Sequence, residues 1–201
     1  MARKTNSTVF GVGITGNKYP CRINGVLTKE YRAWQNMIAR CYKKTNDVYE
    51  DVICCNEWLL YDNFYEWLHK QENFNKWLNG YRWCVDKDIL IKGNKIYSPE
   101  TCCLVSFSIN MLFAKRNKKR GDLPIGVCFE NYTQKYLAHC NTGGNNGVNL
   151  GRYDSPKEAF CQYKDYKEQQ IKQVATKEYN EKNITSKCYK AMMNYTVDIN
   201  D

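Results

Sequence analysis

The stretch Asp86-Lys87-Asp88-Ile89-Leu90-Ile91-Lys92-Gly93-Asn94-Lys95-Ile96-Tyr97-Ser98-Pro99-Glu100-Thr101-Cys102-Cys103-Leu104-Val105, followed by Ser108-Ile109-Asn110, decides the reading of the fold. Arg82-Trp83-Cys84-Val85 reads as a strand leading into it, and Lys92-Gly93-Asn94-Lys95 as a glycine turn. Ser98-Pro99-Glu100 starts a return that ends at Leu104-Val105, and Ser106 or Ser108 caps a short helix to about Phe113. Carboxylates therefore stand at the start of a strand–turn–strand–helix unit, an amide stands at its end, and Asn94 is placed to hold the loop shut.

Upstream, Met1 to Thr28 reads as a short hairpin or irregular arm broken by Gly11, Gly13, Gly16 and Gly25. Thr28 caps a helix to about Tyr42, with Tyr31, Trp34, Met37, Ile38 and Cys41 at helical spacing. Val52 to Trp58 reads as a buried strand entering a turn. Asp62 then caps an aromatic helix bearing Phe64, Tyr65, Trp67 and Leu68, with His69 on its surface.

Downstream, Ala114 to Asp122 is cationic and ends in a Gly-Asp pair. Lys115, Arg116, Lys118, Lys119 and Arg120 read as a phosphate clamp between two modules. From Leu123 three strands are expected, over 125–129, 135–140 and 148–153. Ser155-Pro156-Lys157-Glu158 is a capping box with Pro at the first helical position, and it opens a helix with Phe160, Tyr163, Lys167, Ile171 and Val174 on one face. A three-stranded antiparallel sheet backed by one helix follows, then a short helix within Thr185–Tyr195 and a frayed acidic tail from Asp198. The fold class is α+β. Its parts are an arm over 1–30, a finger domain over 31–113, a basic linker over 114–122 and a second domain over 123–201.

Composition points the same way. The chain has 201 residues and a formal net charge of +9, with 16 Tyr and 5 Trp among the Lys and Arg. Excess positive charge favours a polyanionic partner through counterion release. No N-terminal signal segment is read, and no run approaches the roughly 18–20 apolar residues that span a bilayer. The 11 cysteines are an odd number without framework spacing and read as reduced thiols of a cytosolic compartment. The doublets Cys54-Cys55 and Cys102-Cys103 lack zinc spacing, so no structural zinc is expected.

Two resemblances follow from these motifs. Trp34-Met37-Arg40-Cys41-Tyr42, Cys54-Cys55-Asn56-Glu57-Trp58, Asn63-Phe64-Tyr65-Glu66-Trp67, Asp86-Lys87-Asp88 and Tyr97-Ser98-Pro99-Glu100-Thr101-Cys102 occur in the order found in a phage HNH-type (ββα-metal finger) endonuclease family. This resemblance covers Tyr31 to Phe113 and implies a free-standing homing endonuclease, working in the cytoplasm of an infected bacterial host. Gly126-Val127, Lys135-Tyr136-Leu137-Ala138, Leu150-Gly151-Arg152-Tyr153 and Glu158-Ala159-Phe160-Cys161-Gln162-Tyr163 resemble the Apetala2 (ethylene-response-factor) DNA-binding domain. That domain reads double-stranded DNA with an exposed sheet face, which makes Lys135, His139, Asn149 and Arg152 the candidate contacts here.

By the first resemblance, Asp86 and Asn110 would hold one divalent ion, Mg2+ or Mn2+, against the scissile phosphate, with Asp88 as a reserve carboxylate. The family's general-base histidine is replaced by Lys87. With an unperturbed pKa of about 10.4, a lysine is a poor base near neutrality unless buried. Lys87 could instead hold a phosphate or stabilise charge in the transition state. Thr101 occupies the family's middle position, often Asn. Three readings stay open: a metal-dependent DNA endonuclease, a catalytically inactive DNA-binding regulator that keeps the fold, and an inhibitor of a host enzyme, which predicts no appreciable DNA affinity at low salt.

Overall fold

The computed structural model describes residues 8–43, 49–80, 82–114, 121–141 and 147–201, and the chain is a mixed α+β protein. It divides into two units, 1–105 and 106–201.

In the first unit, two small hairpins, β1 (Thr8–Val9) with β2 (Gly13–Ile14) and β3 (Arg22–Ile23) with β4 (Val26–Leu27), precede α1 (Lys29–Tyr42). The Thr28 hydroxyl accepts from the Tyr31 amide at 3.2 Å and starts α1 where the sequence places it. The buried stripe Tyr31, Trp34, Met37, Ile38 and Cys41 faces a core shared with Trp58, Tyr61, Phe64, Leu68 and Trp77. Trp34 is fully buried, and its Nε1 donates to the Trp58 carbonyl at 2.7 Å, so its one polar atom is satisfied.

The strand expected over Val52–Trp58 shortens to β5 (Ile53–Cys54) followed by a 3₁₀ turn over Asn56–Leu59. In α2 (Tyr61–His69), Asp62 is not the cap. Its Oδ2 instead accepts from the amides of Asn17 and Lys18, both at 3.2 Å, and ties the N-terminal loop to the helix. His69 is more than a plain surface residue: its ring lies 3.9 Å from those of both Tyr65 and Phe74.

The ammonium of Lys29 donates to the Trp77, Leu78 and Gly80 carbonyls, which end α3 (Phe74–Asn79). Orphan carbonyls at a helix end take a cation well. Lys29→Met should lower unfolding stability by about 1–3 kcal/mol, the cost of carbonyls left without their donor. A denaturation midpoint equal to that of the parent chain would contradict this.

The deciding stretch folds as β6 (Trp83–Asp86), β7 (Ile96–Tyr97) and β8 (Cys103–Ser106). β6 pairs with β8, whereas β7 runs parallel to β5, with Ile53 opposite Ile96 and Cys54 opposite Tyr97.

In the second unit, Ser106 caps α4 (Phe107–Leu112) by accepting from the Ile109 amide at 3.3 Å. Strands β9 (Val127–Glu130), β10 (Lys135–Asn141) and β11 (Gly147–Tyr153) form an antiparallel sheet in the order β11-β10-β9. The capping box opens α5 (Pro156–Asn180) through reciprocal 3.2 Å bonds between Ser155 and Glu158. Ala159, Phe160 and Tyr163 of α5 pack on Val127, Ala138 and Cys140 of the sheet. α6 (Ser186–Met193) packs on α5, with Tyr189 stacked on Tyr179.

The tail from Asp198, expected to fray, turns on itself: the amides of Asp198 and Asn200 donate to the carboxylates of Asp201 and Asp198, both at 2.9 Å. Val197 is buried, its amide donates to Glu168 at 2.8 Å, and its carbonyl accepts from Lys164 at 2.7 Å. An apolar anchor between two helix-borne partners overrides the acidic composition after it.

None of the 11 cysteines is joined in a disulfide. Burial pushes the Cys41 and Cys102 thiols up to about 12, which keeps them protonated and unreactive at neutral pH. Among the described residues, no helix is long and apolar enough to cross a membrane.

Candidate nucleic-acid interface and acidic loop

Asp86 ends β6 with its carboxylate folded back on the chain. Oδ1 accepts from the amides of Asp88 at 2.8 Å and Ile89 at 2.9 Å, an Asx turn that starts the loop. Burial raises the pKa of this carboxyl, and the two amides pull it partly back. Lys87 is buried. Its ammonium pairs with Asp88, donates to the Asn94 carbonyl at 2.8 Å and lies 6.0 Å from the Tyr97 ring centre. Asn94 closes the loop: its Nδ2 donates to the carbonyls of Lys87 (2.8 Å) and Ile96 (2.7 Å), and its Oδ1 accepts from the Ile96 amide. The Thr101 hydroxyl donates to the Ile96 carbonyl at 2.7 Å and braces the same loop.

A hard divalent cation suits this chemistry at one point. Asp86 is a carboxylate whose charge burial disfavours, in an orientation its two amides fix; a cation would have to meet it through Oδ2. Asp88 is committed to Lys87. Asn110 lies on α4, between buried Ile109 and half-buried Met111, in the second unit, whereas Asp86 belongs to the first. Among the described residues, no three His, Cys, Asp or Glu side chains gather into a metal-holding group.

The second unit brings the sheet candidates together. Alternation along β10 turns Tyr136, Ala138 and Cys140 toward α5, and Lys135, Leu137 and His139 away from it. Residues opposite one another in a ladder share a face. Asn149 is opposite His139, Arg152 opposite Leu137, and Glu130 opposite Lys135. Lys135, His139, Asn149 and Arg152 therefore all stand on the face away from the helix. The register slips by one residue between Ala138 and His139. This bulge keeps Asn149 and Arg152, three positions apart, on one side. The Asn149 Oδ1 supports the bulge by accepting from the Gly151 amide at 2.9 Å. His139 lies so close over Gly147 that a β-carbon there would meet its ring.

Both cations of this face have acidic partners within the chain. Lys135 pairs with Asp154 at 2.8 Å, both well exposed. An exposed pair of this kind is worth about 0–1 kcal/mol, so a phosphate can replace Asp154 at little cost. Arg152 is held differently. Its Nε and Nη2 donate to Glu130 at 2.6 and 3.2 Å, and Nη2 also reaches the Tyr132 hydroxyl at 2.8 Å. These bonds lower the pKa of Glu130 and raise that of Arg152. Sequence reasoning missed Glu130 and Tyr132, because their link to Arg152 crosses the sheet and exists only once the register is known. The clamp residues Lys115, Arg116, Lys118, Lys119 and Arg120 lie outside the described residues. Comparison with known protein families, curated proteins and solved structures finds no match.

Proposed function

We propose that this chain binds double-stranded DNA through the face of its second-unit sheet that points away from α5, and cleaves DNA as an HNH-type endonuclease. The observation that carries the reading is the shared orientation of Lys135, His139, Asn149 and Arg152 on that face. A two- or three-stranded surface of this breadth can enter a major groove. On this reading the first unit carries Asp86, Lys87 and Asp88 of the finger, and the second unit, which also includes α4 with Asn110, carries the Apetala2-like reader. The protein is phage-encoded and works in the cytoplasm of the infected host.

Asp86 would hold a single Mg2+ or Mn2+ through its Oδ2; Asn110, the second ligand the resemblance implies, belongs to the other unit, and Asp88, the reserve carboxylate, is paired with Lys87. Such an ion supplies Lewis-acid polarisation of the scissile phosphate and charge neutralisation at the leaving oxygen. The two amides on Asp86 Oδ1 fix how its carboxylate is presented. Lys87, donating to Asp88 and the Asn94 carbonyl, is built to place positive charge rather than to accept a proton.

That same feature favours a second reading, a DNA-binding regulator without catalysis, because Lys87 takes the place of the expected base and occupies Asp88. Incubating supercoiled plasmid with the protein and either Mg2+ or Mn2+ separates the two. The endonuclease reading expects nicked or linear product. Plasmid retardation with no cleavage under either metal leaves the regulator.

A further inference from the structure

We propose that Glu130 and Tyr132 are positioning residues that lock the Arg152 guanidinium into a reader of guanine; this rests on the DNA-binding reading above. The network is built like a bracket. Glu130 takes two bonds from Arg152, one from the Tyr132 hydroxyl at 3.2 Å and one from the Thr133 hydroxyl at 3.2 Å. The Glu130 side chain is only 14% exposed while that of Arg152 is 38% exposed, so the carboxylate is the support and the guanidinium the presented head. The turn Asn131–Gln134 joins β9 to β10 and carries Tyr132 and Thr133, which anchors the bracket in the hairpin.

The donor count gives the specificity. A guanidinium has five N–H donors and no acceptor. Nε spends its one on Glu130, and Nη2 spends its two on Glu130 and Tyr132. The Nη1 edge is then the part left for a ligand, and it offers donors only. In the major groove guanine presents two adjacent acceptors, N7 and O6, for the two Nη1 hydrogens, whereas adenine sets an N6 donor beside its N7, cytosine presents a donor, and thymine offers the single acceptor O4 beside its methyl. A donor-only head on a fixed mount selects guanine. A free arginine would instead turn toward the nearest phosphate, which carries no sequence information. The bracket also removes most of the rotamer freedom that a long side chain otherwise loses on binding.

The test is selection from a randomised duplex pool, with affinity for a mixed-sequence duplex measured in parallel. The full chain is compared with Glu130→Gln and Arg152→Lys. The parent is expected to enrich guanine at one position by roughly tenfold or more. Glu130→Gln should lose most of that enrichment while its mixed-sequence affinity stays level or rises, since a repelling carboxylate is gone. Arg152→Lys should lose the enrichment with an unchanged salt slope, because charge is kept while the planar head that Glu130 and Tyr132 hold in place is lost. Far-ultraviolet circular dichroism confirms that both variants fold, and Tyr132→Phe gives a milder version that leaves the ion pair in place. Guanine enrichment that survives Glu130→Gln overturns the bracket, as does a parent chain that binds duplex without any guanine preference. A parent with no affinity for duplex DNA overturns the binding reading as well, so the two failures are told apart.

Discussion

If the chain cleaves DNA as proposed, with Asp86 on the metal, Asp86→Asn is expected to lower metal-dependent nicking by at least the roughly 10–100-fold seen when only an outer-shell partner is removed, and to leave the protein as stable as the parent at neutral pH, or more so. The amide keeps an oxygen for the Asp88 and Ile89 amides, so the turn survives. What goes is a charge that burial disfavours. Burial raises the pKa of the Asp86 carboxyl, so the folded chain holds this proton more tightly than the unfolded chain does. Its stabilising contribution is then complete below the ordinary value near 3.8 and is lost as pH rises through the higher folded value. The Asn variant lacks this dependence, so its melting temperature relative to the parent should climb across that window. Asp86→Ala should lose activity too, but it also orphans two amides, each costing about 1–3 kcal/mol where water cannot replace the oxygen. An Asn variant that still nicks would remove Asp86 from the chemistry. One that melts well below the parent at pH 7 would make it a purely structural residue.

Gly126→Ala is expected to be the most damaging conservative change in the second unit. Gly126 has φ +78°, a conformation that costs a residue bearing a β-carbon about 1–2 kcal/mol. Its new methyl would also sit 2.1 Å from the Tyr163 ring, which packs on the sheet in the unit's core. Displacing that ring brings the total to about 3 kcal/mol or more. Gly121 is the control. It too has positive φ (+65°), but open space surrounds its added carbon, so Gly121→Ala should cost the backbone share alone. Urea denaturation of both variants checks the order, and equal losses would show that the Tyr163 contact carries no weight.

What the sequence makes legible here is what is local. Thr28 before an apolar stripe and Ser155-Pro156-Lys157-Glu158 before another define α1 and α5 because a cap and a helical period act within a few residues. The α+β class and the three strands of the second unit are legible for the same reason. The parallel pairing of β5 with β7 is not, since each strand is two residues long and the partner lies far along the chain. Asp62 has the residue type of a cap, yet its oxygen is claimed by a distant loop. Val197 holds down a tail that composition alone marks as loose. In the site, Lys135, His139, Asn149 and Arg152 are legible as residue types, but their common face depends on a register that includes a bulge. Glu130 stays invisible until that register sets it beside Arg152.

The dependence of duplex affinity on salt tests the central claim most directly. Fluorescence anisotropy of a labelled mixed-sequence duplex, titrated with the protein from low to physiological salt, gives the slope of log affinity against log salt. A chain that sets Lys135, Arg152 and the Lys and Arg side chains of 115–120 against DNA should show a slope of about −3 or steeper, reflecting several displaced counterions. Undetectable binding at the lowest salt, or an affinity that salt leaves unchanged, would contradict it.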